Sequence, residues 1–353
     1  MPRRYRVAIV GAGIGAEHNE GFQAHPELFE VALVCDVDLE RARRLAAAAT
    51  GAAICTDIGE ILERADVDLV DICLPPFLHY EAVTQALAAG KHVICEKPLV
   101  GSLAEIDELA AMAEACGRRL MPIMQLRFGN GLRQLQHLIE RGVVGRAYVA
   151  TVETHWTRRP GYYANPWRGR KATELGGALL SQAIHAHDLL MCVLGPVRRV
   201  FARIATRVNA IETEDCAVAT LAMADGSLAG LSATLGSAEE ISRLRFCFEG
   251  LTAESNHAPY RASSGPWRFI PRTPGHAEGI AAALSDFAPQ EEGFARQFAL
   301  FHEALEAGGP LPVTIADARR SIELAAAFYH AAATGTDVEL PLGSDHPTYR
   351  GWL

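Results

Sequence analysis

The chain has 353 residues, of which 49% are apolar and 21% are charged, and its formal net charge is −9. This composition is typical of a globular protein with room for two domains, and the acidic balance without a basic block argues against a nucleic-acid partner. Since no uncharged apolar run reaches the length of a membrane span and no signal peptide is recognised, we expect a cytoplasmic protein without a membrane partner. The eight cysteines form no CxxC pair, which favours reduced thiols.

The first predicted strand, Arg6–Val10, runs into a glycine-rich turn and then into a helix from about Ala16. The turn matches G-x-G-x-x-A, the fingerprint of a dinucleotide-binding fold. Gly11 permits the tight turn, Gly13 lets the backbone approach a pyrophosphate, and we expect the small Ala16 to let the helix pack closely on the strand. A lone match of this kind is weak, and a purely structural turn is the alternative.

An acidic residue stands at the second position that the fingerprint requires. The next strand, Val31–Cys35, ends in Asp36, about twenty residues beyond the glycine turn, where the ribose-binding acid belongs. This spacing favours nucleotide binding over a structural turn.

Strands and helices alternate through the rest of the first half, which predicts a parallel, doubly wound sheet. The further predicted strands are Ala52–Ile54, Leu69–Leu74, Val93–Cys95 and Leu120–Leu126. The predicted helices are Leu39–Ala49, Ile58–Arg64, His79–Ala89 and one from a capping box at Ser102 to Cys116.

The strand Val93–Cys95 ends in Glu96, Lys97 and Pro98. The proline restricts its own φ and keeps Lys97 out of the helical region. The lysine therefore lies on a stiff elbow at the carboxyl end of a strand, the edge where open α/β sheets bind ligands. The alternative is a surface ion pair between Glu96 and Lys97. Taken by itself, this short stretch favours the ion pair.

We place the domain boundary near Arg127, before a linker helix over Gly129–Arg141. Ala147–His155 alternates as a strand does. The segment from Trp156 to Lys171 is rich in aromatic and basic residues, and it fits an exposed basic loop and the wall of a binding site equally well.

A predicted helix over Gly176–Leu194 carries polar side chains on an otherwise apolar face. Helical spacing places Ser181, His185 and Asp188 on one face. His187 points elsewhere, so this stretch is a poor metal site, and we predict no bound metal. A core histidine is the alternative interpretation of His185.

The remaining pattern predicts an α+β domain with a large open antiparallel sheet. Its strands are Val197–Ala205, Asp215–Met223, Ser227–Leu235, Ser242–Phe248 and Val338–Leu342, its helices are Gly293–Glu306 and Ile315–Thr334, and Ser255–Pro274 is a long loop.

The glycine turn, Asp36, the Pro75-Pro76-x-x-His79 loop and the stretch Gly90–Pro98 together resemble the Gfo/Idh/MocA family, whose members are mostly NAD(P)-dependent sugar and cyclitol dehydrogenases. The resemblance implies an N-terminal Rossmann domain over residues 1–127 and a substrate-binding and oligomerisation domain over residues 128–353. It also implies a homodimer or homotetramer.

The helix in the second half follows the family pattern at Gly176, Gly177, His185 and Asp188. Ser181 stands where the family usually has an active-site aspartate. This departure removes a carboxylate beside the histidine and puts an Asp–His proton relay in doubt.

The resemblance and the residues together predict an NAD-dependent dehydrogenase that oxidises a hydroxyl of a sugar, sugar derivative or cyclitol to a ketone or lactone. His185 takes the hydroxyl proton because its ordinary pKa lies near neutrality. Lys97 holds the reacting oxygen and Glu96 orients Lys97. The predicted cofactor-binding residues are Gly11, Gly13, Ile14, Gly15, Asp36, Leu74, Pro75, His79, Glu96 and Lys97. The predicted substrate-binding residues are Lys97, Arg127, Tyr163, Trp167, Lys171, Ser181, His185 and Asp188.

Two other functions fit the same pattern. One is an NAD-retaining enzyme that oxidises its substrate transiently to drive elimination or glycoside cleavage. The other is a nucleotide-sensing binding protein without turnover, which the presence of both Lys97 and His185 disfavours.

We predict that the protein uses NAD in preference to NADP. Asp36 accepts hydrogen bonds from both ribose hydroxyls and repels a 2′-phosphate, and no arginine lies within the next three residues to neutralise that phosphate. Turnover measured with each cofactor at saturating substrate checks this, and a preference for NADP would show that the assignment of Asp36 is wrong.

Overall fold

A computed structural model describes residues 2–352 of the chain, which divide into two compact units. The first unit comprises the chain up to Gln125 together with Gly293–Arg319. The second comprises Leu126–Glu292 and the chain from Arg320 onward.

The first unit contains a six-stranded sheet in which every pair of neighbours is parallel, in the order β3-β2-β1-β4-β5-β6. Its strands are β1 (Tyr5–Val10), β2 (Phe29–Cys35), β3 (Ala53–Cys55), β4 (Leu69–Ile72), β5 (His92–Cys95) and β6 (Leu120–Pro122). The helices between them are α1 (Gly15–Gln23), α2 (Leu39–Ala48), α3 (Ile58–Leu62), α4 (His79–Ala88) and α5 (Leu103–Ala115). This is the strand order of a doubly wound dinucleotide-binding fold, and the prediction for this half is confirmed.

Local chemistry explains where several of these helices begin. The side chain of Asp38 accepts hydrogen bonds from the N–H groups of Glu40 and Arg41, and Asp57 and Ser102 cap α3 and α5 in the same way. Each cap satisfies amide donors that the first turn leaves unpaired. The strand predicted over Leu120–Leu126 is shorter in the structure and is followed by a 3₁₀ turn at Gln125–Phe128.

The remaining elements follow in chain order. They are α6 (Asn130–Glu140), β7 (Ala147–Thr157), α7 (Lys171–Glu174), α8 (Ile184–Leu194), β8 (Val197–Ala205), β9 (Cys216–Met223), β10 (Leu228–Thr234), β11 (Gly236–Phe248), β12 (Leu251–Glu254), β13 (Arg268–Pro271), α9 (Pro274–Leu284), α10 (Gly293–Ala307), α11 (Ile315–Thr334) and β14 (Val338–Glu339). The segment predicted as a long loop therefore contains β13, and α9 was not predicted.

The second unit contains an eight-stranded sheet in the order β13-β12-β11-β7-β10-β9-β8-β14. Its neighbours are antiparallel except for β7 and β10, which run parallel. The predicted antiparallel sheet is thus a mixed one. The alternation of apolar and polar residues along a strand indicates which side chains face the core, but it does not indicate which strands pair. The parallel pairing of β7 with β10 therefore has no signal in the local sequence.

Helix α10 belongs to the first unit, although the sequence assigned everything beyond residue 127 to the second. Its Phe298 ring stacks on Phe22 of α1 with centroids 4.1 Å apart, and Phe294 lies 4.5 Å from the ring of His18. This aromatic contact joins residues more than 270 positions apart, so the local pattern does not reveal it.

Among residues 2–352, no single helix has both the length and the apolar content needed to span a membrane. The bent pair Lys171–Gln182 and Ile184–Leu194 passes that test only jointly, by length and composition.

Strand β9 has one buried and one exposed face. Ala217, Ala219 and Leu221 lie on the buried face. Their outward neighbours include Val218, which is 56% exposed, and on the adjacent strands Leu228 and Val149 are 57% and 43% exposed. The pleat puts alternate residues on opposite faces, so a shift of one position exchanges the two sets.

We predict that the protein is a homodimer or homotetramer that associates through this exposed sheet face, because the apolar side chains of Val149, Val218 and Leu228 gain from removal from water. Light scattering at micromolar concentration is expected to give a multiple of the protomer mass. Val218→Glu combined with Leu228→Glu is expected to lower that mass, whereas Val37→Glu, at an exposed site of the first unit, leaves it unchanged. A monomeric mass for the unaltered protein would contradict the prediction.

Candidate active site

The predicted cofactor residues of the first unit lie on turns that leave one edge of its sheet. Parallel strands bring the turns after β1, β2, β4 and β5 to the same carboxyl edge. The strand order reverses between β1 and β4, and ligands of open α/β sheets bind at such a switch point.

The glycine turn after β1 has the geometry of an anion cradle. Gly11 has a φ of +102°, and a side chain there would collide with the backbone carbonyl of Cys73. At Gly13 an added Cβ would meet no atom within 4 Å, so the backbone is open to a ligand. Ile14 precedes the first residue of α1, and the N-terminus of a helix in this position favours a phosphate.

The close approach of helix to strand occurs at Gly15 and not at Ala16. A Cβ at Gly15 would lie 2.7 Å from Cγ2 of Ile9, whereas Ala16 is exposed. The sequence assigned this role to Ala16 from the fingerprint spacing, and that assignment is wrong because α1 begins one residue earlier than expected.

Asp36 is tied to the glycine turn. Its Oδ2 accepts a hydrogen bond from the N–H of Ala12 at 2.8 Å, and its Oδ1 accepts one from the N–H of Asp38 at 2.8 Å. A carboxylate has about four lone-pair sites, so the half-buried Asp36 keeps acceptor capacity for ribose hydroxyls. Arg41, the first arginine that follows Asp36 in the chain, has its Nε 3.4 Å from Oδ2 of Asp38.

The turn after β4 is linked to the lysine elbow through His79. The ring of this buried histidine has Nδ1 2.9 Å from the carbonyl oxygen of Pro98 and Nε2 2.8 Å from that of Leu74. Burial lowers the pKa of His79, so the neutral ring donates to one carbonyl at a time. Any part that His79 takes in cofactor binding therefore acts through the backbone of Leu74 and Pro98.

Glu96 and Lys97 follow β5 at the same edge, and the Lys97–Pro98 peptide bond is cis. Glu96 is 6% exposed, and its Oε2 accepts a hydrogen bond from the backbone N–H of Lys97 at 3.0 Å. Lys97 itself is half-buried. The local pairing of a carboxylate with the amide of the next residue supports the predicted orienting role of Glu96.

Sequence reasoning missed two residues behind this elbow. His18 of α1 lies with Nδ1 within 3.0 Å of both oxygens of Asp71 and with Nε2 3.1 Å from Oε1 of Glu96. The available signal was Asp71, a charge inside the apolar run Leu69–Leu74. Within the described part of the chain, His18, Asp71 and Cys73 form the one group of three side chains with potential metal-ligating atoms close together.

In the second unit, the predicted helix Gly176–Leu194 is broken. Ala178–Gln182 forms a π-helical turn, and the chain bends by 49° before α8. The α-helical spacing that placed Ser181 above His185 therefore does not apply, and the Ser181 hydroxyl instead donates to the carbonyl of Gly176 at 3.4 Å. Single π-turns occur frequently at functional sites.

A buried carboxylate that the sequence did not reveal holds the start of this π-turn. Glu214 accepts hydrogen bonds from the N–H groups of Gly177 and Leu179 at 3.0 and 2.9 Å and from the hydroxyl of Tyr329 at 3.0 Å. Burial raises the pKa of Glu214, although these donors oppose the shift.

Asp188 is engaged by Arg127. The guanidinium Nε and Nη2 lie 2.7 and 2.6 Å from the two carboxylate oxygens of Asp188, which is 1% exposed. Such a bidentate pair is strong and geometrically specific, so two of the predicted substrate residues are brought together. His185, 8% exposed, lies one turn earlier on the same helix.

The aromatic and basic segment that follows β7 packs against itself. The guanidinium of Arg168 lies 3.7 Å from the ring centroid of Trp167 and 4.7 Å from that of Tyr162, and it pairs with Glu174 at 2.7 Å. Lys171 remains exposed. The structure therefore favours a packed wall over a loose basic loop.

Among the described residues, the polar atoms in and around this segment that are buried without a hydrogen-bond partner include two that suit a polar ligand. They are the hydroxyl of Tyr163 and the amide oxygen of Gln182, whose amide nitrogen donates to Tyr162 at 3.2 Å. Burial raises the pKa of Tyr163, so its hydroxyl stays a donor and is unsuited to act as a base. Unpaired buried polar atoms are uncommon and fit the needs of a polar ligand.

Family models match most of the chain. Residues 5–124 match an oxidoreductase family with an NAD-binding Rossmann fold, and residues 132–254 match the GFO/IDH/MocA C-terminal domain. The chain belongs to this oxidoreductase family. Its first domain is an NAD-binding Rossmann domain, as the glycine turn and Asp36 indicated.

Curated relatives include enzymes that act on sugars and cyclitols. D-glucoside 3-dehydrogenase of Escherichia coli is 29% identical over 95% of this chain and 97% of its own length. An inositol 2-dehydrogenase of Rhodococcus erythropolis is 33% identical over 41% of this chain and 42% of its own. An uncharacterised oxidoreductase of Synechocystis, sll0816, is 30% identical, and that match covers 62% of each protein.

Solved structures share the fold along nearly the whole chain. The WlbA dehydrogenase of Bordetella pertussis, crystallised with NADH and UDP-GlcNAcA, has a TM-score of 0.84 and 27% identity, with 97% of this chain and 100% of that one covered. GenD2, from gentamicin A biosynthesis and crystallised with NAD, has a TM-score of 0.79 and 26% identity, with 97% and 98% covered.

We predict that substitutions at Gly13 and Gly15 have different effects. Gly13→Val is expected to weaken NAD binding by about tenfold or more, because the backbone no longer approaches the pyrophosphate, with little change in stability. Gly15→Val is expected to lower the free energy of unfolding by roughly 1–3 kcal/mol, because the side chain meets Ile9. Denaturant unfolding and NAD titration of both variants check this, and equal losses in both measurements would contradict it.

Proposed function

We propose that this oxidoreductase oxidises a hydroxyl of a sugar, sugar derivative or cyclitol to a ketone or lactone, with NAD as the hydride acceptor. The observation that carries the proposal is the Glu96–Lys97 elbow, which lies at the same sheet edge as the open glycine turn and Asp36. NAD supplies the hydride chemistry. The Lys97 ammonium holds the reacting oxygen and stabilises its developing negative charge.

His185 is the proposed general base. It is buried on α8, one turn before Asp188, and it takes the hydroxyl proton while the hydride leaves. Ser181, on the π-turn, has no carboxylate, and its hydroxyl donates to the carbonyl of Gly176. The proposed mechanism therefore uses no Asp–His pair at that position. The proposed substrate contacts are the Tyr163 hydroxyl, the Gln182 amide and the Arg127 guanidinium, which match the donors and acceptors of a polyhydroxylated ring.

The relatives support a sugar ring as the substrate class. The match with D-glucoside 3-dehydrogenase runs through both units, including the second, which carries the proposed base. The WlbA dehydrogenase was crystallised with a nucleotide-linked sugar acid. The inositol dehydrogenase match covers less than half of the chain, so glycosides and sugars come before cyclitols in the proposal.

A substrate panel tests the proposal directly. Purified protein is incubated with NAD and with glucosides, free sugars, nucleotide-linked sugars and cyclitols, and the nicotinamide absorbance is followed. Reduction of NAD by at least one of these classes is expected, and failure of all of them would overturn the proposal. Chromatography of the same reactions detects product formed without net NADH, which identifies an NAD-retaining enzyme instead.

We predict that Lys97→Ala and His185→Ala each lower turnover by roughly a hundredfold or more, the usual contribution of positioned acid–base groups. The double variant is expected to lose less than the product of the two single losses, because residues that act as a unit are not additive. Steady-state kinetics on the substrate found in the panel measure these values.

Matched controls come from the same two elements. Lys91, just before β5, is a buried lysine whose Nζ donates to the carbonyls of Arg64 and Val67. His187 on α8 packs its ring 5.2 Å from Phe328, and burial lowers its pKa to about 3. Lys91→Met and His187→Phe are expected to keep turnover near the unaltered level. Near-normal turnover in His185→Ala would rule out the proposed base.

A further inference from the structure

We propose that Asp71 and His18 are positioning residues that hold the Glu96 carboxylate, and through it the backbone of Lys97, in place for hydride transfer. We call Asp71, His18 and Glu96 the buried relay. The inference rests on the proposed role of Lys97 and assigns residues that neither the family fingerprint nor the sequence pattern singled out.

The buried relay is a continuous chain of close polar contacts across three elements. Both oxygens of Asp71, on β4, lie 2.9–3.0 Å from Nδ1 of His18, on α1. Nε2 of His18 lies 3.1 Å from Oε1 of Glu96, whose Oε2 accepts the Lys97 amide at 3.0 Å. His18 and Asp71 are both 0% exposed, so no solvent competes for these contacts.

The arrangement requires a charged imidazole. Each ring nitrogen of His18 faces a carboxylate, and a neutral ring has only one N–H, so only the doubly protonated ring donates to both. Two carboxylates out of water without a cation between them are strongly unfavourable. Burial by itself lowers the pKa of His18, but the Asp71 carboxylate raises it well above the ordinary value.

The other side chains that face His18 do not compete for its charge. Phe294 and Phe298 of α10 cover the ring, with centroids 4.5 and 5.5 Å away. Glu17, the neighbouring acid on α1, has its own pKa raised, chiefly by burial. Burial also raises the pKa of Cys73, which keeps it a thiol. A metal ion at this group would need a free ring nitrogen of His18. Both ring nitrogens face carboxylates, so these contacts favour the hydrogen-bonded relay over a metal site.

The two oxygens of Glu96 explain why the relay bears on catalysis. One oxygen is held by His18 and the other holds the peptide of Lys97, so the orientation of the carboxylate sets the position of the elbow. Catalytic groups tolerate little displacement, and a misplacement of about 1 Å costs on the order of a hundredfold in rate. Losing the His18 contact removes one of the contacts that orient the Glu96 carboxylate, and the elbow is then held less firmly.

Asp71→Asn is the decisive variant, because it keeps the shape of the side chain and removes the charge. We expect it to lower kcat by about tenfold or more, with the KM for NAD changed by less than about threefold, since the positioned group acts in the transition state. His18→Gln is expected to have the same effect. Steady-state kinetics and thermal unfolding are measured on both.

The matched control is His302→Gln. His302 is a buried histidine of α10 in the same unit, with Nε2 2.7 Å from the carbonyl of Arg3 and its ring against Tyr5 and Phe29. It belongs to no part of the proposed site. Its loss is expected to lower the unfolding temperature about as much as His18→Gln while kcat stays within about twofold.

A pH profile separates positioning from a purely structural role. In the unaltered protein the pKa of His18 is raised well above its ordinary value by Asp71, so the ring stays protonated at neutral pH. In Asp71→Asn the effect of burial dominates and lowers that pKa, so His18 loses its proton as the pH rises. The ratio of variant to unaltered kcat is therefore expected to fall with rising pH and to recover at the acid end. ¹⁵N shifts of the His18 ring follow the same protonation without any dependence on turnover.

The outcomes distinguish this inference from the proposed function. If Lys97→Ala keeps normal turnover, the proposed function itself fails. If Lys97→Ala loses turnover while Asp71→Asn and His18→Gln behave like His302→Gln, with a flat ratio across pH, only the relay is overturned. A neutral His18 ring at pH 7 in the unaltered protein would also overturn it.

Discussion

Charged groups that lie out of water have to be paired, and this constraint organises the candidate site residues of both units. In the first unit, Asp71 interrupts the central strand β4 and is matched by His18, which in turn meets Glu96. In the second, Asp188 is matched by Arg127 and the carboxylate of Glu214 by backbone amides. An uncompensated buried charge is strongly destabilising, so each of these side chains holds its partner in one position.

The pairing has a second consequence, because each partner belongs to a different element. His18 ties α1 to the turn after β5, and Glu214 ties a sheet connection to the π-turn before α8. The proposed catalytic residue Lys97 thus stands on a turn whose backbone is held by a buried carboxylate, and the proposed base His185 follows a π-turn that is held in the same way. Catalytic groups need this support from residues that never touch a substrate.

Local patterns predicted much of the first unit. Alternating strands and helices, the glycine turn and Asp36 are short-range features, since each depends on residues adjacent in the chain or on one βαβ unit. The same reasoning failed where packing decided between neighbours. Gly15 rather than Ala16 meets the strand, because the true start of α1 sets which residue faces Ile9.

The sequence by itself determined the fold family, the nucleotide edge and the lysine elbow, because turn chemistry and hydrophobic period are written in consecutive residues. Only the tertiary structure decided the return of α10 to the first unit, the parallel pairing of β7 with β10 and the break before α8. It also brought together His18, Asp71 and Glu96, which are spread over 79 positions of the chain. Contacts of that range depend on how whole elements pack, and no local pattern records them.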